Sequence, residues 1–89
     1  MARKVVKTKM KRETYNLPVV LEKYEDGFYV AECPLFEGCY TQGKTIDEAL
    51  RNIEEVIDLV LEEKDNRALL KNYRPESVGL HTVSISLTA

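Results

Sequence analysis

Two cysteines, one histidine and two carboxylates are the residues whose types could support chemistry in this chain: Cys33 and Cys39, His81, and Glu22 and Glu32. Cys33 and Cys39 stand six apart, which is not the spacing of a zinc-knuckle pair, and His81 lies far from both. As small, apolar, reduced side chains they suit a core better than a metal site. Metal-dependent phosphodiester cleavage needs several carboxylates converging on divalent ions. Glu22 and Glu32 fall on strand-like stretches, whereas Glu25 and Asp26 belong to a turn and the acids of the helix point outward. No two-metal site assembles from these residues. No catalytic residue, metal ligand or cofactor is therefore expected, and a role as an enzyme is disfavoured.

Charge is more informative. Residues 1–12 carry Arg3, Lys4, Lys7, Lys9, Lys11 and Arg12 and no acid, while the other 77 residues hold seven basic and fifteen acidic side chains, a net charge of −8. Six closely spaced cations are what sequence-neutral contact with nucleic-acid phosphates requires. A solvated terminal arm has the same composition. The acidic remainder repels nucleic acid and favours a basic partner. We therefore read residues 1–12 as a basic arm and 13–89 as one domain. No apolar run approaches the length of a membrane span or a secretory signal, so a cytoplasmic protein is the default.

The elements that position these groups follow from pattern. Leu17, Val19 and Leu21 alternate as a first strand. Asp26-Gly27 suits a tight turn, and Phe28–Glu32 forms a second strand. A two-residue turn pairs Tyr24 with Tyr29, placing Leu17, Val19, Leu21, Phe28 and Val30 on one face and Val20, Tyr24, Tyr29, Ala31 and Cys33 on the other. Both faces then read apolar, and one helix covers only one of them. A second subunit is the simplest cover for the other. Pro34 stops the second strand, Gly38 turns the chain, and Cys39–Gln42 makes a third strand ending at Gly43.

Thr45-Ile46-Asp47-Glu48 has capping-box spacing and opens a helix. Its inner face carries Ile46, Ala49, Leu50, Ile53, Val56, Ile57, Val60 and Leu61. Its outer face is strongly acidic, with Leu59 the one apolar exception. After Pro75 and Gly79, Val83, Ile85 and Leu87 alternate with Thr82, Ser84 and Ser86 as a fourth strand. The expected fold is α+β: a single β-β-β-α-β domain whose mixed four-stranded sheet has order 3-2-1-4, with one helix packed on one face.

The run Gly27-Phe28-Tyr29-Val30-Ala31-Glu32-Cys33-Pro34, followed by Gly38-Cys39, Thr41-Gln42-Gly43 and Thr45-Ile46-Asp47-Glu48-Ala49, resembles the HicB-like antitoxin family. The order and spacing of these elements carry the likeness, from about Leu17 to Glu63. Gly27, Pro34, Gly38, Gly43 and Thr45 are scaffold positions in this reading. The resemblance implies a partly degraded ribonuclease H-like fold that self-associates as a dimer or tetramer. It also implies binding and neutralisation of a HicA-type toxin, a small basic messenger-RNA-cleaving protein. Because the sequence stops two residues after Leu87, the DNA-binding extension found in many of these antitoxins is not expected. The acidic helix face, taken alone, is most simply a solvated surface. With the resemblance, Glu48, Arg51, Glu55, Leu59 and Glu62 become candidate toxin contacts. The alternative is an oligomer that binds nucleic acid through the six arm cations.

Overall fold

In the computed structural model, residues 13–88 are described; the basic arm lies outside the described residues. Three strands, β1 (Val20–Lys23), β2 (Tyr29–Glu32) and β3 (Tyr40–Gly43), precede two helices, α1 (Ile46–Val60) and α2 (Lys64–Lys71). The strands form one antiparallel sheet in the order β1-β2-β3.

The β1–β2 hairpin departs from the two-residue turn expected from Asp26-Gly27. Leu21 pairs with Ala31 and Lys23 with Tyr29, leaving Glu25, Asp26 and Gly27 as a three-residue loop. The Gly27 amide donates to the Tyr24 carbonyl at 2.9 Å, and the Tyr24 amide donates to Phe28 O at 2.9 Å. Gly27 sits at φ +90°, so the loop is a turn closed by a glycine bulge. Asp26 Oδ1 accepts from the Phe28 amide at 3.0 Å and fixes the corner.

This one-residue slip regroups the faces. Leu21, Tyr29, Ala31 and Thr41 share one face, and Val20, Glu22, Phe28, Val30, Glu32 and Tyr40 share the other. Phe28 and Val30 therefore stand opposite Leu17, Val19 and Leu21, not beside them. The corrected inner face supports α1.

Ala31, Cys33, Phe36, Cys39, Ala49 and Ile53 are the buried core, with Leu17, Val19, Leu21, Tyr29, Val56, Ile57, Val60 and Leu70 packed against it. Phe36 comes from the β2–β3 loop, where Pro34 turns the chain and Gly38, at φ +72°, returns it to β3. The Cys33 amide donates to Cys39 O at 2.9 Å across the neck of that loop.

α1 begins as its sequence dictates: Thr45 Oγ1 accepts from the Glu48 amide at 3.0 Å. The Glu48 carboxylate reaches back to the Lys44 amide, one residue earlier than a standard capping box. β3 ends against this first turn. A Cβ on Gly43 would lie 2.5 Å from Ala49 N, so only glycine permits the approach. Asn52 Nδ2 donates to Gln42 O at 2.8 Å and ties the next turn to the strand.

Two expectations are corrected beyond the hairpin. The single helix is two helices. α1 has no basic residue in its last turn, and side chains of α2 reach the carbonyls where it ends. Asn66 Nδ2 donates to Val60 O at 2.7 Å, and Arg67 Nη1 donates to Leu61 O and Glu62 O at 2.8 and 3.0 Å. The fourth strand, and with it the mixed 3-2-1-4 sheet, is not formed among the described residues. Residues 73–88 adopt no regular element, and Leu80, Val83, Ile85 and Leu87 are 75–92% exposed. Alternation marks the two faces of a strand without naming the edge it pairs with.

Candidate functional site

The expected site residues lie along one stripe of α1. Glu48, Arg51, Glu55 and Leu59 recur at three- and four-residue spacing on the side away from the sheet, and Glu62 continues the line in the turn after the helix. Arg51, Glu55, Leu59 and Glu62 are exposed, and Leu59 shows 62% of its surface to solvent. Glu48 differs, because its carboxylate is engaged by the Lys44 amide and serves the cap first. Asp47, Glu54 and Asp58 flank the stripe. The result is an acidic ridge with one apolar side chain, Leu59, near its C-terminal end. The six arm cations proposed for nucleic acid lie outside the described residues.

The residues weighed for catalysis are not brought together. Glu22 and Glu32 share the outer sheet face and are both exposed. Among the described residues no group of three or more His, Cys, Asp or Glu side chains is placed to hold a metal ion. His81 lies in the exposed C-terminal segment. Cys33 and Cys39 face each other across the β2–β3 neck with both side chains fully buried. Burial pushes both thiols above their ordinary range, which keeps them protonated and unreactive.

Two further surfaces stand beside the ridge, one expected as a second apolar sheet face but grouped from other residues, the other not foreseen. The outer sheet face presents half-buried Val20, Phe28 and Val30, with Tyr24 and Tyr40 52% and 63% exposed. The correct hairpin register was needed to group them. The second surface is a groove of ≈ 510 Å³ between the chain entering β1 and the near side of α1. Leu17, Val19, Leu50, Ile53 and Ile57 line it, with Glu54 and Asp58 on its rim. Ile46 and Leu50 are on the inner side of α1 yet remain 45% and 38% exposed, because α1 rests on β2 and β3 and overhangs the β1 side. The signal available in the sequence was an inner helix face wider than three strands could cover.

At the base of α2 the chain returns to this region. Arg74 lies over the Tyr15 ring, 5.6 Å from its centroid, and the Tyr15 hydroxyl donates to Glu13 Oε1 at 2.6 Å. That bond to Glu13 is the main cause of a raised Tyr15 pKa. Among the described residues no helix is long and apolar enough to cross a membrane.

Comparison with known proteins gives these surfaces a context. A UPF0150 protein of Synechocystis is 53% identical over 53 residues, spanning 60% of this chain and 72% of the relative. Another, from Archaeoglobus fulgidus, is 48% identical over 48 residues, spanning 54% and 70%. A UPF0150 protein of Thermoplasma acidophilum is 41% identical over 64 residues, 71% of this chain and 93% of its own. No solved structure matches the chain. The family model for the HicB-like antitoxin of bacterial toxin-antitoxin systems matches residues 17–81, from the chain entering β1 to the exposed C-terminal segment. With that match across all five secondary-structure elements, the chain belongs to the HicB-like antitoxin family.

Proposed function

We propose that this protein is an antitoxin-type binding module that associates with itself and neutralises a HicA-type messenger-RNA-cleaving toxin in the cytoplasm. The family match over residues 17–81 is the observation that carries the reading. The acidic ridge of α1 supports it: Arg51, Glu55, Leu59 and Glu62 are exposed and free of the helix cap, and their surroundings bear the sign that a basic ribonuclease would meet. Binding here is occlusion and not chemistry, so the antitoxin needs no catalytic residue, metal or cofactor of its own. Residues 13–89 act as the binding domain, and residues 1–12 as a separate basic arm.

Co-expression with a HicA-type toxin, taken from an adjacent reading frame, tests the reading. Relief of growth arrest and co-purification are expected. Unrelieved arrest with no co-purification would overturn it. Charge reversal at Glu55 and Glu62 should weaken the complex chiefly through association rate and make it less salt-dependent. A second reading rests on the six cations of residues 1–12, which an oligomer would present in multiple copies to nucleic acid. Removing them should abolish any gel shift. Binding that survives their removal would dismiss the arm.

A further inference from the structure

We propose that Thr82–Thr88 is a strand donated to a second copy of this chain, where it pairs with the open edge of β1 and closes the groove beneath α1. Self-association belongs to the function proposed above; the route is new, and its test needs no toxin, so either can fail without the other.

Three observations fit together. The first is the segment itself. Val83, Ile85 and Leu87 alternate with Thr82, Ser84, Ser86 and Thr88, a half-buried strand pattern without a charged side chain. Yet the three apolar residues are 81%, 79% and 92% exposed within their own chain. An uncharged row of this kind, left open, is a template for indiscriminate pairing.

The second is the edge. Tyr24 bonds to Phe28, and hydrogen-bonded pairs alternate along an antiparallel ladder, so Glu22 and Val20 also point their amides at β2. Leu21 and Lys23 therefore direct their backbone groups away from the sheet, where β1 has no neighbouring strand among the described residues. An incoming strand finds donors and acceptors there at regular spacing.

The third is the groove. Leu17, Val19, Leu50, Ile53 and Ile57 give an apolar floor to a slot below α1, beside the chain that leads into that edge, with Tyr15, Asn16, Glu54 and Asp58 on its walls. A strand laid along β1 puts one of its two faces into this slot. The face carrying Val83, Ile85 and Leu87 fits it, and Thr82, Ser84 and Ser86 then face outward. Each chain thus holds one unsatisfied strand and one unsatisfied receptor. A two-fold pair of chains satisfies both with a single self-complementary exchange. Residues 75–81 form the connection, leaving from the point where Arg74 is held against Tyr15. The fourth strand legible in the sequence is then present, but in the neighbouring subunit's sheet.

The test is made on the full chain. A mixture of isotope-labelled and unlabelled copies should give isotope-filtered NMR contacts between Leu17 or Leu21 of one copy and Ile85 of another. The solution mass should be an even multiple of 10.2 kDa, with slow amide exchange at Leu21. Ile85→Asp should at least halve the mass and release the Leu21 amide, while Ala31 and Ile53 amides stay slow and report an intact core. Ile85→Val should behave as the parent does. Contacts confined to one chain, with Leu21 slow in a monomer, would mean that the segment closes on its own sheet and would overturn the exchange. An even-numbered assembly unaffected by Ile85→Asp, or a Leu21 amide that exchanges freely in the parent, would also overturn it. If Ile85→Asp unfolds the chain, the filtered contacts alone decide.

Discussion

Gly43→Ala is the sharpest probe of how the sheet meets α1. Gly43 is buried at the end of β3, and a methyl group there would stand 2.5 Å from Ala49 N, 2.9 Å from Ala49 Cα and 2.9 Å from Glu48 C. Its φ is not in the left-handed region, so the obstacle is space alone. All three opposing atoms are helix backbone and cannot swing aside as a side chain would. Relief requires the first turn of α1 to back away from β3 by about 1 Å, judged against close-packed interiors. That movement pulls on the Thr45–Glu48 cap and the Asn52–Gln42 bond together.

Overpacking of this kind costs about 1–3 kcal/mol, and the rigid backbone places it near the top of that range. The lower chain entropy of unfolded alanine returns only about 0.4–1 kcal/mol. A net loss of about 2 kcal/mol lowers Tm by roughly 8–16 °C in a domain of this size. Thermal melts of parent and variant at equal protein concentration measure it, since association also shifts Tm. Adding Ala49→Gly should not restore stability, because the clash is with the backbone of residue 49 and not its methyl. A Tm within about 2 °C of the parent, or full rescue by Ala49→Gly, would refute the reasoning.

Other outcomes follow from the same packing. Phe36→Ala should cost about 3–5 kcal/mol by leaving a cavity at a side chain that is only 2% exposed; urea unfolding with an unchanged slope would register it. Thr45→Ala should cost about 1 kcal/mol through loss of the bond to the Glu48 amide, with Thr45→Ser restoring most of it in a thermal melt. The thiols give a pH dependence of definite sign. Cys33 and Cys39 stay protonated in the fold while unfolded thiols ionise near the ordinary value of 9.0. Their contribution to stability is therefore complete below that value and declines as pH rises above it toward the folded pKa. Stability measured from pH 8 to 10 should fall with a slope that shrinks in Cys33→Ala/Cys39→Ala, and a thiol reagent should react slowly with the folded parent.

Much of this chain was settled by residues close together in sequence. Leu17–Leu21, Phe28–Glu32 and Cys39–Gln42 announced three strands by alternation and their flanking turns, and the structure forms a strand within or overlapping each run. Thr45 and Glu48 fixed the start of α1, because a cap is made within one turn of chain. The period from Ile46 to Leu61 set the inner face of α1, and the same short elements, in order, carried the family.

What depended on distant partners was decided only by tertiary structure. Asp26-Gly27 marked a turn but left its length open; packing of Leu21, Tyr29 and Ala31 under α1 selected the three-residue loop and so the buried face. Phe36 had no period to reveal it and is buried because the β2–β3 loop folds over the core. Arg67 reads as a surface charge until α2 turns back and lays it on the carbonyls of Leu61 and Glu62, in the turn that ends α1. The alternation of Val83, Ile85 and Leu87 announced a strand without an address. A strand's faces are written in its own side chains, whereas its place in a sheet belongs to whichever backbone edge lies open beside it.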